Sequence, residues 1–226
     1  MSNRPHLAAT RTPRRPVAAV LVLHGGASRR DGAAVSPTQL SVLRMVPIAR
    51  RIARAGRGRL AVLRLLNSTR GWDTRHTPVD DVAWALGQLR ERWGHELPVC
   101  LVGHSLGGRA ALLSADRPGV RSVVALAPWL YESDGGTGVP ADRRVLFVHG
   151  TEDRVASPRR SALVAEELRR STSVGYVRVT GGEHAMLRHG RVFDRAAADF
   201  ATATLLGDRP GPPVSTVLDG RHLVEV

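Results

Sequence analysis

The sequence predicts an α/β fold: a mostly parallel sheet of about six strands with helices on both faces. Three observations predict it. From Val17 onward, short apolar runs alternate with longer amphipathic ones. Most of the short runs are Val- and Leu-rich throughout, as strands buried on both faces are. Several of the longer runs begin with a helix start signal, a capping residue followed by proline.

The elements follow in chain order. Residues 1–16 are polar, basic and punctuated by proline, which predicts a disordered arm. Val17–Leu23 is the first strand. It is far shorter than the roughly 20 residues that span a bilayer. It also runs into His24-Gly25-Gly26 without a signal-peptide cleavage pattern. The expectation is therefore a buried strand in a cytoplasmic protein with no membrane partner. Ser36-Pro37 starts a helix, which Pro47 should kink or end. Leu60–Leu66 is the second strand. Thr77-Pro78 opens a helix with Val82, Leu86, Leu89 and Trp93 on one face. Val99–Val102 is the third strand, and a helix-like run extends from Gly108 to Leu113. Val120–Ala127 and Val145–His149 are strands, Ser157-Pro158 starts a helix, and Val174–Val179 is a strand. A last helix runs from about Arg191 to Leu206, with Phe193, Ala197 and Phe200 facing inward. The tail is rich in Pro and Gly, with a hairpin turn expected at Asp219-Gly220. The chain thus divides into an arm (1–16), one folded catalytic domain (17–206) and a tail (207–226).

Composition excludes several functions. The net charge is +13 with no lysine in the chain. A P-loop needs Lys in its phosphate cradle, and a pyridoxal enzyme needs Lys for its Schiff base. The arginines come as scattered doublets such as Arg14-Arg15, Arg143-Arg144 and Arg169-Arg170, and aromatics make up only 4%. That describes a solvated basic surface, without a base-stacking platform, and no specific nucleic-acid partner is expected. Cys100 is the only cysteine, in an apolar strand, and reads as an inert core thiol. Gly56-Arg57-Gly58 opens no helix, and no metal-binding motif is present. Neither a cofactor nor a metal is expected.

The chemistry centres on Gly103-His104-Ser105-Leu106-Gly107, a G-x-S-x-G pentapeptide between a strand and a helix. Such a sharp turn lifts the serine hydroxyl out of the sheet. A serine hydroxyl needs a base to take its proton, and the base needs an orienting acid. Downstream, Gly181-Gly182-Glu183-His184 follows a strand and supplies the base, His184. His149-Gly150-Thr151-Glu152-Asp153 follows another strand, and Glu152 and Asp153 both compete for the acid role. Adjacent side chains point apart, so only one faces the histidine. An oxyanion needs donors. The backbone N–H of Leu106 is one, and the loop after the first strand offers Gly26 or, as the alternative, Ala27.

The series Leu23-His24-Gly25-Gly26, Gly103-His104-Ser105-Leu106-Gly107-Gly108, His149-Gly150-Thr151-Glu152-Asp153-Arg154-Val155 and Gly182-Glu183-His184 resembles the α/β-hydrolase superfamily. Asn67-Ser68-Thr69-Arg70-Gly71-Trp72 is similar to the Arg-Gly loop of its lidless esterase and dienelactone-hydrolase-like branch. The resemblance covers residues 17–206. It implies that Asp153 is the acid, through the family's His-Gly-x-x-Asp-x-x-Val pattern. It implies hydrolysis of carboxylic esters through an acyl-enzyme, with thioester hydrolysis or biosynthetic acyl transfer as the alternative. The extra N-terminal antiparallel strands of larger members are expected to be missing. The segment after Pro128 is long enough for a flap but not a lid, and Trp129 and Tyr131 would line the substrate site with Ala27 and His104. An arginine at the mouth would suit an anionic substrate, though the sequence does not place one there. A non-catalytic ligand receptor could share the fold; the complete Ser, His and Asp set argues against it.

Overall fold

The structure, a computed structural model, describes residues 4–26, 33–73 and 75–226. Among these, β1 (His6–Arg11), β2 (Ala18–Leu23), β3 (Leu60–Leu66), β4 (Val99–His104), β5 (Val120–Leu126), β6 (Arg144–Gly150), β7 (Ser173–Val179) and β8 (Leu223–Glu225) form one sheet. Their spatial order is β1-β3-β2-β4-β5-β6-β7-β8. β1 pairs antiparallel with β3, and every other neighbouring pair is parallel. The six expected strands are all present, within one residue of their expected bounds except at the end of β4, which runs two residues further.

The period of two along each strand divides the core. Ala19, Leu21 and Leu23 face one side and Ala18, Val20 and Val22 the other, all buried. The first side packs under α3 (Thr77–Trp93), α4 (Leu106–Leu113) and α5 (Pro158–Leu168). The second packs under α2 (Met45–Ala55), α6 (Gly190–Leu206) and α7 (Val214–Leu218). A sheet covered on both faces explains why its strands read as continuous apolar runs. No helix among the described residues is long and apolar enough to cross a membrane.

Three expectations need correction. Residues 1–16 are not wholly an arm without structure, because β1 lies within them. β1 is short and half-exposed, with Leu7 packed on the core. Its order comes from pairing with the open edge of β3, which local propensity does not reveal. For the same reason the chain does carry one N-terminal antiparallel strand. Second, the tail is not a hairpin. Val214 and Val217, three residues apart, form a buried helical stripe instead. Gly175 of β7 makes room for it, since a Cβ there would lie 2.8 Å from that of Val217. Asp219-Gly220 only ends α7 and turns the chain into β8, which adds parallel to β7. Third, the helix expected from Ser36-Pro37 begins only at Leu40, with Gln39 at its N-cap, and the expected break at Pro47 follows at once. α1 (Leu40–Leu43) and α2 meet at Arg44, because Pro47 gives no N–H to Leu43 and crowds its carbonyl.

The topology locates the site. From β2 the chain crosses to β3 on one side and then returns to β4 on the other. The carboxyl ends of β2 and β4 therefore flank the point where strand order reverses, where open α/β sheets bind ligands.

Candidate active site

Ser105 sits between β4 and α4 with φ 55° and ψ −120°. This left-handed backbone is costly for a residue with a Cβ and persists only where its surroundings enforce it. They do so by close approach. A Cβ on Gly103 would lie 2.1 Å from the Gly107 carbonyl oxygen, and one on Gly107 would lie 2.6 Å from the Leu23 and His24 carbonyl oxygens. The two glycines let α4 press against β4 and the β2 loop, and the turn has no room to relax.

His184, on the loop after β7, reaches the serine. Its Nε2 is 3.1 Å from Ser105 Oγ and its Nδ1 is 2.8 Å from Asp153 Oδ2. With Nδ1–H donating to the carboxylate, Nε2 is left to accept the serine proton. Asp153 is buried and accepts four hydrogen bonds. Its Oδ1 takes the amides of Val155 and Ala156, both at 2.8 Å, and its Oδ2 takes His184 and the His149 Nε2–H at 3.0 Å. Burial pushes its pKa up. The hydrogen bonds from His149, His184 and Ala156 outweigh that and hold it well below the usual carboxylate range. Asp153 thus stays ionised at neutral pH. Glu152 points the other way, exposed, toward Arg188 at 3.4 Å.

Sequence reasoning treated His149 only as a strand-end residue. It is fully buried and bridges Asp153 to Ser161 Oγ, 2.7 Å from its Nδ1, which in turn meets Tyr176 Oη at 2.8 Å. Since Nε2–H donates to the carboxylate, Nδ1 accepts from Ser161, and Ser161 accepts from Tyr176. The signal lay in the motif itself: a histidine four residues before the acid, at the same strand end.

Two further histidines brace the site. His104 is buried, donates through Nε2 to the His184 carbonyl at 2.9 Å, and lies with its ring 4.9 Å from that of His184. Burial first, then the electrostatic influence of the neighbouring His184 and Arg44, lowers its pKa to about 3. His24 donates from Nδ1 to the Gly25 carbonyl at 2.6 Å and accepts the Asn67 amide at 3.2 Å. It ties the β2 loop to the end of β3, and burial lowers its pKa too.

These two histidines predict how stability responds to acid. Each takes a proton near pH 6.5 when unfolded but resists it when folded, His104 until about 3. Below about pH 6.5 unfolding therefore takes up protons, and stability falls as pH drops. His104 contributes up to about 1.4 kcal/mol per pH unit between its two values, and His24 acts in the same direction. Urea midpoints between pH 7 and 5 should show the decline. In His104→Gln the slope should lose about one proton; an unchanged slope would mean that His104 is not held neutral.

Ser105, His184 and His104 open onto a cavity of about 440 Å³. Trp129 and Tyr131 line it with Gly26 and Leu106, the two residues expected to donate to an oxyanion, and so do Trp72, Arg44 and Arg109, which the sequence did not single out. Ala27 lies outside the described residues. Leu106 is the first residue of α4, so its N–H has no partner within the helix. Gly25, rather than Gly26, is where close approach demands glycine: a Cβ on Gly25 would lie 2.9 Å from that of Ser105, whereas one on Gly26 would meet nothing nearer than 3.4 Å. After Pro128 there is a short 3₁₀ turn, Glu132–Gly136, and no inserted lid. Among the described residues, no group of three or more His, Cys, Asp or Glu side chains could hold a metal ion.

No protein-family profile matches the sequence, and no curated protein matches it either. Solved structures do match the fold. Est1E from Butyrivibrio proteoclasticus superposes with a TM-score of 0.65 at 14% identity, over 87% of this chain and 91% of its own. Dienelactone hydrolase from Anabaena variabilis gives 0.63 at 19% identity, over 91% and 100%. An α/β serine hydrolase without lid from Xanthomonas campestris gives 0.62 at 18%, over 91% of each chain. The fold is that of the α/β hydrolases.

Proposed function

We propose that this chain, which has the α/β-hydrolase fold, is a serine hydrolase that cleaves carboxylic esters through an acyl-enzyme. The observation that carries this reading is the unbroken hydrogen-bonded series from Ser105 Oγ through His184 to Asp153, at 3.1 and 2.8 Å, opening onto a cavity. Ser105 attacks the ester carbonyl as His184 Nε2 takes its proton. The N–H groups of Leu106 and Gly26 stabilise the oxyanion. His184 then returns the proton to the leaving alcohol, and the acyl group stays on Ser105. Water, deprotonated by His184, releases the acid. Asp153 keeps Nδ1 protonated and stabilises the imidazolium that forms in each step. The reaction needs no cofactor.

The cavity has the size of small-molecule sites and no lid over it, which suits short esters with bulky leaving groups. A fluorophosphonate probe should label Ser105 alone, read by mass spectrometry, and phenylmethylsulfonyl treatment should block it. Aryl acetates should turn over, with rates falling as the acyl chain outgrows the cavity. Failure of both, with the protein folded, would sink the reading in favour of a ligand receptor. Labelling without ester turnover would point to a thioester or an acyl-transfer substrate.

A further inference from the structure

Two arginines line the cavity beside Ser105, and they differ in one respect. Arg109 is neutralised in place: Asp134 holds its guanidinium at 2.9 and 3.0 Å, and the rings of Trp72 and Tyr131 cover its two faces. Its charge is spent on the wall. Arg44 has no carboxylate within ion-pair distance among the described residues. Its Nε–H is buried without an acceptor, and burial alone lowers its pKa.

The backbone keeps Arg44 there. It sits at the junction of α1 and α2, between Val42 and Met45, both buried. The same wall holds one more buried polar atom without a partner, His104 Nδ1. Buried donors and acceptors almost always have partners, so two orphans beside one cavity point to a ligand. A partly desolvated guanidinium is also a costly group to leave unpaired. Of the two carboxylates described beside the cavity, Asp134 is paired with Arg109, and Asp153 already accepts four hydrogen bonds.

Resting on the reading of Ser105 as nucleophile, we propose that Arg44 is a carboxylate-binding subsite and that the natural ester carries a carboxylate which pairs with it. The planar fork of one guanidinium matches one carboxylate in geometry and charge. The substrate is then a half-ester or an ester of a hydroxy acid, anchored at its charged end and cleaved at Ser105.

Two matched pairs of substrates test this. 4-Acetoxybenzoate against its methyl ester places the charge on the alcohol side. Mono-4-nitrophenyl adipate against its methyl-capped diester places it on the acyl side. The readout is the anion-to-neutral ratio of kcat/KM. In at least one pair this ratio should be about tenfold higher in wild type than in Arg44→Gln, with the change carried by KM. Arg44→Lys should keep part of it, and rising salt should erode it. The pair that responds tells which side of the ester the carboxylate occupies. Equal ratios in wild type and Arg44→Gln for both pairs would overturn the subsite. Turnover of the neutral partners separately reports whether the chain is an esterase. If none turns over, calorimetric titration of both proteins with adipate and 4-hydroxybenzoate, against their neutral amides, reads the same charge preference. Binding of the anions by wild type alone supports the subsite, and no difference overturns it.

Discussion

Ser105→Ala is expected to lower kcat by about 10⁴ to 10⁶, and His184→Ala by a similar factor. The double variant should be little worse than either single one. Once the nucleophile is gone the base has no proton to take, and without the base the hydroxyl is no nucleophile. Asp153→Asn should cost about 10³ to 10⁴, and the geometry explains how. The Val155 and Ala156 amides both donate to Oδ1, so an asparagine would keep its oxygen there. Its NH₂ would then face His184 Nδ1, in place of the oxygen that accepts at 2.8 Å. That favours the tautomer with the proton on Nε2, which cannot accept one from Ser105. The same NH₂ would meet the His149 Nε2–H, a donor against a donor. Steady-state kinetics on an aryl acetate, with probe labelling of each variant, would measure these effects. A damaging Glu152→Gln beside a harmless Asp153→Asn would overturn the assignment of the acid.

The sheet and the three residues that meet at Ser105 were legible because each leaves a local mark. A strand buried on both faces is a run of Val and Leu, as in Ala18–Leu23. A strand-to-helix turn with almost no room reads as Gly103-x-Ser105-x-Gly107. What stayed hidden depends on partners distant in sequence. β1 is a strand only because β3 offers it an edge. β8 joins β7 only because Val214 and Val217 dock α7 nearby. Arg109 looks like any arginine on a helix until Asp134, 25 residues on, closes over it. Arg44 leaves no mark at all among thirty-three basic residues. Only the cavity separates it from the arginines that face water.

Arg109 yields the largest expected effect on stability. Its side chain and that of Asp134 are 9% and 4% exposed, so this ion pair is far from the surface case in which such pairs contribute little. Asp134 Oδ2 also accepts the Tyr131 amide at 2.8 Å, fixing the turn that carries Tyr131 into the cavity wall. Arg109→Met would leave a buried carboxylate without its cation. Breaking such a pair from one side costs about 3 to 5 kcal/mol. The loss should appear as a lower urea midpoint with an unchanged slope. Arg109→Met combined with Asp134→Asn should be more stable than Arg109→Met alone. The charge that lacked a partner is gone, while the amide oxygen still accepts from Tyr131. Because Trp72 and Tyr131 rest on the guanidinium at 4.3 and 4.6 Å, both variants should also loosen that wall. KM should rise more than kcat falls, since Ser105, His184 and Asp153 do not touch the pair. Full stability in Arg109→Met would mean that Asp134 is not left as an uncompensated buried charge, because water reaches it or it takes up a proton. A double variant no better than the single would mean that the aromatic stack, rather than the unpaired carboxylate, carries the loss.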